Sequence, residues 1–309
     1  MNRVVVIANP VASQFTGGSH RDVMAELAKG HHVEAQWPGS APEATNVART
    51  AVEDGASVVV AMGGDGIVHH VGQALVGTDV SLGIVPTGTT NVVARLFGIP
   101  SKPSKAARLI ARPQIPATVG TVRLALTRGD TETVHHAIFA CGFGLDAEVV
   151  RVADSDPYRK YRFGSMHYAR SALAVGVRSF PSIKPHVRLE AEGHETMATT
   201  ALIQFRSVYT YFGRIGLRLV DDPPDPMAVL VMSRLRRRRI PKILFSAITH
   251  RDLAKIGGFE VWANVTALTL EANPPVAVQA DGEGLGLVDG GTIGWVPDSL
   301  HVIAGSRAG

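Results

Sequence analysis

The sequence predicts an α/β domain followed by a β-rich domain, and three observations carry that expectation. Short β-branched runs alternate with helix-periodic segments through the first hundred residues. Glycine-rich or small polar text directly follows several of those runs. After about residue 114 the alternation gives way to strand-like segments separated by turn residues. The first pattern reads as a doubly wound parallel sheet covered by helices on both faces. The last reads as a mostly antiparallel sandwich or flattened barrel.

The elements follow in order. VVVIA (4–8) is an apolar strand ended by Asn9-Pro10, and HRDVMAELAKG (20–30) has helical spacing with a closing glycine. HVEAQ (32–36) can form a strand and PEATNVARTAVEDG (42–55) a helix. SVVVAM (57–62), IVHHVGQALVG (67–77), SLGIVP (81–86) and TTNVVARLFG (89–98) continue as strand, helix, strand, helix. In the second part, 117–144 has strand character and 184–205 reads as a hairpin. PMAVLVM, FEVWANVTALTLEA and PPVAVQADGEG continue as strands, with one helix expected at 165–179. The tail, 292–305, either closes a last hairpin or returns to the first domain.

The chain of 309 residues is 45% hydrophobic and 19% charged, enough for two cores and without the signature of disorder. A net charge of +4 is too mild to imply nucleic acid, and no reader motif or aromatic interleaving accompanies the basic residues. The single cysteine, Cys141, excludes an internal disulfide, fits a reducing compartment, and falls in an expected buried strand. No apolar run approaches the roughly 18–20 residues that cross a bilayer, and the run in MNRVVVIANP is too short for a signal peptide.

Four stretches carry chemistry. Gly63-Gly64-Asp65-Gly66 ends a central strand and opens a helix. It serves either as a tight turn capped by Asp65 or as an anion cradle of backbone N–H groups at a helix start. In the second case Asp65 orients the loop, binds a metal or accepts from a hydroxyl. Pro86-Thr87-Gly88-Thr89-Thr90-Asn91 repeats the arrangement one strand later, with hydroxyls for capping or phosphate and an amide at Asn91. Asn9, Pro10, Ala12 and Ser13 lie after the first strand and could cover a nucleotide phosphate. Asp281-Gly282-Glu283 is either a solvated turn or a pair of carboxylates in one cleft, one a general base and the other a Mg²⁺ holder.

Taken together, Asn9-Pro10, Gly63-Gly64-Asp65-Gly66, Pro86-x-Gly88-Thr89-x-Asn91 with Ala94-Arg95, Gly142-x-Gly144-x-Asp146-Ala147 and Asp281-Gly282-Glu283 resemble the diacylglycerol kinase catalytic superfamily. The likeness is to its soluble bacterial lipid kinases and sphingoid-base kinase relatives, and the closing WVPDSLHVI is similar to the family's final segment. The resemblance implies an NAD kinase/phosphofructokinase-like first domain, 1–114 with a returning tail 292–309, that binds ATP over Gly63, Gly64, Asp65, Gly66, Gly88, Thr89 and Asn91. It implies a lipid-holding β domain, 115–291, and Mg²⁺-dependent transfer of the γ-phosphoryl group to a hydroxyl of a diacylglycerol-like lipid. Such transfer rests on positioning and charge neutralisation. Asp281 or Glu283 would take the hydroxyl proton, and the resemblance does not rank them.

Departures from the family pattern are visible. Ile67, His69 and His70 replace a threonine and an Asn-Glu pair, the two histidines being expected on the surface. A threonine usual near the nucleotide is missing around Trp37, which either stacks on adenine or packs, while Arg214 and Ile215 replace two glycines. A structural Mg²⁺ site reduces to Asp225 among prolines. Arg236, Arg237, Arg238 and Arg239 before IPKILFSAI form either a solvated helix face or a surface for anionic lipid headgroups. Tyr158-Arg159-Lys160-Tyr161-Arg162 is a second basic stretch, a candidate loop at the lipid entrance. The expected protein is a cytoplasmic, peripherally membrane-associated kinase; a homodimer is compatible with the sequence. The alternatives are a catalytically impaired nucleotide or lipid sensor and a kinase for a soluble substrate such as NAD.

Overall fold

The structure, a computed structural model, describes residues 2–145, 147, 148, 150, 184–213, 215–220, 226–233, 242 and 259–305. The chain divides into two compact units, Met1–Thr121 with Val296–Gly309, and Val122–Trp295.

The first unit is built on β1 (Asn2–Ala8), β2 (His31–Gln36), β3 (Val58–Gly63) and β4 (Ser81–Pro86), interleaved with α1 (Gly17–Leu27), α2 (Ala41–Glu53), α3 (Asp65–Leu75), α4 (Val92–Leu96) and α5 (Pro103–Ala111). The strands are parallel in the order β2-β1-β3-β4, and His301 and Val302 add a parallel pairing to Ser81 and Leu82 of β4. Every residue of β3 and β4 is buried, which explains their unbroken apolar text. Helices α2 and α3 pack together, as do α1 and α5. Ala44, Ala48 and Ala51 form the buried stripe of α2. Their small side chains let a neighbouring helix approach closely.

Helix starts are chemically marked. Thr16 and Ser19 form a reciprocal capping box, so α1 begins three residues ahead of the expected position 20. Ser40 accepts from the Glu43 N–H at the start of α2, with Pro42 in its first turn. Helix α5 has no counterpart among the sequence expectations. Its signal is Pro103 at the first position followed by buried Ala106, Ala107 and Ile110.

The second unit holds β6 (Thr131–Ala137), β7 (Ala140–Phe143), β8 (Val187–Ala191), β9 (His194–Ala198), β10 (Thr200–Gln204), β11 (Thr210–Phe212), β12 (Ile215–Leu217), β13 (Met227–Met232), β14 (Phe259–Val265) and β15 (Ala267–Ala280). Two strands, β5 (Ala117–Arg128) and β16 (Glu283–Val302), begin or end in the first unit. Pairing within the unit is antiparallel. Strand β15 pairs β8 through Thr269–Ala272 and β7 through Val278–Ala280, with a register shift between Glu271 and Val276. A strand that changes partners across such an irregularity turns a corner between sheet layers. The core carries Leu124, Leu126, Phe143, Leu189, Ile203, Val229 and Trp262.

The α/β-plus-β expectation therefore holds, and the expected 184–205 hairpin is β8–β9 with β10 following. The tail does both things the sequence allowed: β16 pairs with β15 and then reaches β4. The helix expected at 165–179 lies outside the described residues.

Candidate active site

In the first unit the strand order β2-β1-β3-β4 reverses direction of winding between β1 and β3, and loops at the carboxyl ends flank that switch point. The Asn9 N–H donates to the Met62 carbonyl (2.9 Å), and the Asn9 side chain accepts from the Val11 N–H (3.1 Å). The Ala12 N–H then donates back to the Asn9 carbonyl (3.2 Å), so Asn9-Pro10 does turn the chain. The Gln14 N–H reaches the Thr87 carbonyl (2.8 Å), and the Ser13 and Thr89 hydroxyls meet at 3.0 Å. The Thr87 N–H donates to the Gly63 carbonyl (2.8 Å). Loops after β1, β3 and β4 are thus stapled into one surface.

Its glycines have a specific cause. A Cβ on Gly88 would lie 2.5 Å from the Gly64 Cα, and one on Gly63 would lie 2.4 Å from Cγ2 of Ile67. Gly64 and Gly88 let the loops after β3 and β4 touch through bare backbone, while Gly63 makes room for the Ile67 side chain. Asn91 takes the left-handed conformation (φ 49°) and clamps Gly88 from both sides, accepting from its N–H (3.0 Å) and donating to its carbonyl (2.8 Å). Asp65, in the first turn of α3, accepts from the Val93 N–H (3.1 Å). It therefore caps α4 from a neighbouring helix, a role that the sequence left open to the Thr89 and Thr90 hydroxyls beside phosphate contact.

Two features suit this surface to an anion. Gly64 caps α3 without a side chain, and the Thr87 hydroxyl is fully buried with no partner among the described residues. Ile67 is 8% exposed and closes the space behind Gly63. His69 is 2% exposed, against the surface position expected for it, because α3 is also covered by α2; His70, half-buried, stacks edge-on to it at 5.1 Å. Trp37 packs against Phe15 (5.7 Å) and His20 (4.5 Å), yet 46% of it stays exposed. Burial holds the His20 imidazole below its ordinary pKa.

In the second unit Asp281-Gly282 is the two-residue loop of the β15–β16 hairpin, Ala280 pairing Glu283. Both loop residues have positive φ, 54° and 81°, the conformation for which Asp-Gly is the preferred text. The solvated-turn expectation fails for Asp281, which is 3% exposed. Its carboxylate accepts from the N–H groups of Ile138 (2.8 Å), Phe139 (2.8 Å) and Ala140 (3.2 Å), while its own N–H donates to the Ala140 carbonyl (2.8 Å). The Gly282 N–H donates to the Gln279 amide oxygen (2.9 Å), and the Gln279 amide nitrogen to the Tyr209 hydroxyl (3.1 Å). Glu283 is half-buried at the head of β16. The 138–140 segment carries no chemical text of its own; the sequence signal for this anchor is the Asp-Gly turn alone.

Gly144 of the expected Gly142-x-Gly144-x-Asp146 motif has φ 79°, and a Cβ there would lie 2.1 Å from the Thr199 carbonyl. Asp146, Arg214, Asp225, Arg236–Arg239, and the basic stretch 158–162 lie outside the described residues. Cys141 is buried in β7 as expected. Among the described residues no group of three or more His, Cys, Asp or Glu side chains could hold a metal ion. No helix among them is long and apolar enough to cross a membrane.

Comparison with known proteins agrees with this architecture. Residues 3–122 match the diacylglycerol kinase catalytic domain. A diacylglycerol kinase of Mycobacterium tuberculosis (strain CDC 1551 / Oshkosh) is 28% identical over 290 residues, 92% of this chain and 89% of that protein. A diacylglycerol kinase of Bacillus subtilis (strain 168) is 32% identical over 104 residues, 32% of this chain and 34% of its own. The crystal structure of a candidate diacylglycerol kinase from Bacillus anthracis str. Sterne superposes with a TM-score of 0.76 at 18% identity, covering 100% of this chain and 97% of that one. The stapled loop surface lies inside the segment, residues 3–122, that matches the diacylglycerol kinase catalytic domain, and the fold is similar along the whole chain to that of the Bacillus anthracis structure.

Proposed function

We propose that the protein is an ATP-dependent lipid kinase transferring the γ-phosphoryl group to a hydroxyl of a diacylglycerol-like lipid. The observation that carries this reading is the glycine-floored surface of the loops after β1, β3 and β4, with a buried Thr87 hydroxyl that has no partner among the described residues, inside the segment that matches a kinase catalytic domain. Its backbone N–H groups and the hydroxyls of Ser13 and Thr89 receive the nucleotide phosphates. Asp65 and Asn91 hold the loops in register for that task.

Of the two carboxylates, Glu283 is assigned as the base and Asp281 as its anchor. Asp281 already accepts three buried N–H groups, which leaves its lone pairs committed to the fold. In the transfer, Glu283 takes the lipid hydroxyl proton as that oxygen bonds to the γ-phosphorus and the bond to the β–γ bridging oxygen breaks, releasing ADP. Magnesium, when bound, would be held with the nucleotide phosphates and would neutralise their charge. Arg236–Arg239 supply headgroup contact at the cytoplasmic membrane face, at about 1 kcal/mol per basic residue near the surface.

The test is transfer from γ-labelled ATP with Mg²⁺ onto a lipid panel in mixed micelles, beside Glu283→Gln. A labelled lipid that drops at least 100-fold with Glu283→Gln is the expected result. Calorimetric ATP binding with no labelled lipid would replace the kinase by a nucleotide sensor. Label appearing in NAD would move the acceptor to a soluble substrate.

A further inference from the structure

We propose that Arg206 is a positioning residue for the base-bearing turn, acting on the Asp281 carboxylate through the Ile138–Phe139 peptide group. The inference rests on the kinase reading of that turn and deepens it. Arg206 Nε donates to the Ile138 carbonyl at 3.0 Å. The N–H on the other side of the same peptide, that of Phe139, donates to Asp281 Oδ1 at 2.8 Å. A guanidinium thus sits at the oxygen end of the peptide dipole and a carboxylate at its hydrogen end. Each bond polarises the other, and a chain of this kind is stronger than its parts.

The surroundings favour such coupling. Asp281 is 3% exposed, and the Arg206 guanidinium lies 5.4 Å from the centre of the buried Phe205 ring. Burial lowers the Arg206 pKa to about 10, and the attraction of Asp281 opposes that fall, so the group is a cation at neutral pH. Its charge faces Asp281 through low-dielectric surroundings, where a partner matters more than it does in water. Asp281 and Gly282, both with positive φ, form the two-residue turn that leads directly into Glu283 at the head of β16. A loosened carboxylate therefore releases the turn that aims the base. Misplacement of a catalytic group by about 1 Å is sufficient for a rate loss on the order of 100-fold.

The experiment compares Arg206→Lys and Arg206→Met in the full chain. Arg206→Met is expected to lower kcat for lipid phosphorylation about 10- to 100-fold with the KM for ATP within twofold, and Arg206→Lys to recover part of it. In a Glu283→Gln background Arg206→Met should add less than twofold, since it acts through that base; multiplying effects would overturn the proposal. Hydrogen exchange gives a readout that needs no turnover. Amides 139–140 and 281–283 should exchange at least 10-fold faster in Arg206→Met and near the parent rate in Arg206→Lys. Unchanged exchange in both variants overturns the inference whatever the activity. Absence of lipid phosphorylation in the parent protein, with exchange responding as stated, sinks the kinase reading and leaves Arg206 as the anchor of the turn.

Discussion

The loop surface of the first unit and the hairpin turn of the second solve opposite problems. In the first, the Gly64 and Gly88 backbones press together, and the packing depends on side chains being absent: a Cβ on Gly88 would stand 2.5 Å from the Gly64 Cα. In the second, one side chain is indispensable, because the Asp281 carboxylate satisfies three buried N–H groups from a segment about 140 positions away in sequence. The difference teaches where each site is fragile. The loop surface breaks when volume is added, and the turn breaks when an acceptor is removed.

The largest expected effect lies at the turn. Asp281→Ala strands the N–H groups of Ile138, Phe139 and Ala140 in the interior, at about 1–3 kcal/mol for each unmade bond before relaxation. A net loss of about 3–5 kcal/mol is expected in urea unfolding, the range seen when a buried charge partner is removed. Asp281→Asn retains one acceptor oxygen and should lose less. A loss for Asp281→Ala below about 1 kcal/mol, on the order of a surface change, would mean that the carboxylate does not hold this segment.

The loop surface comes next. Gly88→Ala forces the Gly64 backbone to yield, and overpacking of this kind costs about 1–3 kcal/mol. It should also weaken ATP binding at least 10-fold in calorimetry, because the displaced loop carries Thr89. The contrast is sharpened by Gly39→Ala, where the new Cβ meets only Glu43 Oε2 at 3.5 Å, an ordinary contact. That variant should stay within about 0.5 kcal/mol of the parent. Equal losses at the two positions would deny the loop contact any special role.

This contrast also explains what the sequence could and could not say. Bare backbone contact is written locally, as clustered glycines after apolar runs, so the first unit's sheet and its loops were legible from the text of β3 and β4 onward. The cause of the glycines was not, because the loops that meet are separate in sequence and only their packing makes Gly88 a neighbour of Gly64. His69 reads as polar yet is buried, since tertiary cover by α2 overrides residue type. Asp281 and Glu283 look equivalent in the text D-G-E, and only burial separates them. Arg206 carries no local signal, because its meaning lies in the Ile138 peptide that it touches. The register of β15, which changes partners between Glu271 and Val276, is likewise a property of the assembled sheet.

The smallest effect tests whether the rim of the loop surface is packed like a core. His20 Nε2 is buried without a partner among the described residues, with the rings of Trp37 and Phe15 beside it. Burial lowers the His20 pKa, so the folded state favours the neutral ring while the unfolded chain protonates near the ordinary value of about 6.5. Between those two values the unfolded state binds more protons, and stability must rise with pH. On acidification the neutral ring's contribution is intact above the unfolded pKa, is lost as pH falls below it, and is gone below the folded one. The difference in Tm between the parent and His20→Gln should therefore shrink from pH 7.5 to pH 5, by roughly 1–3 °C for a domain of this size. A difference that stays constant across that range would show that the ring is solvated, and that the aromatic rim is a surface cluster instead of an extension of the core.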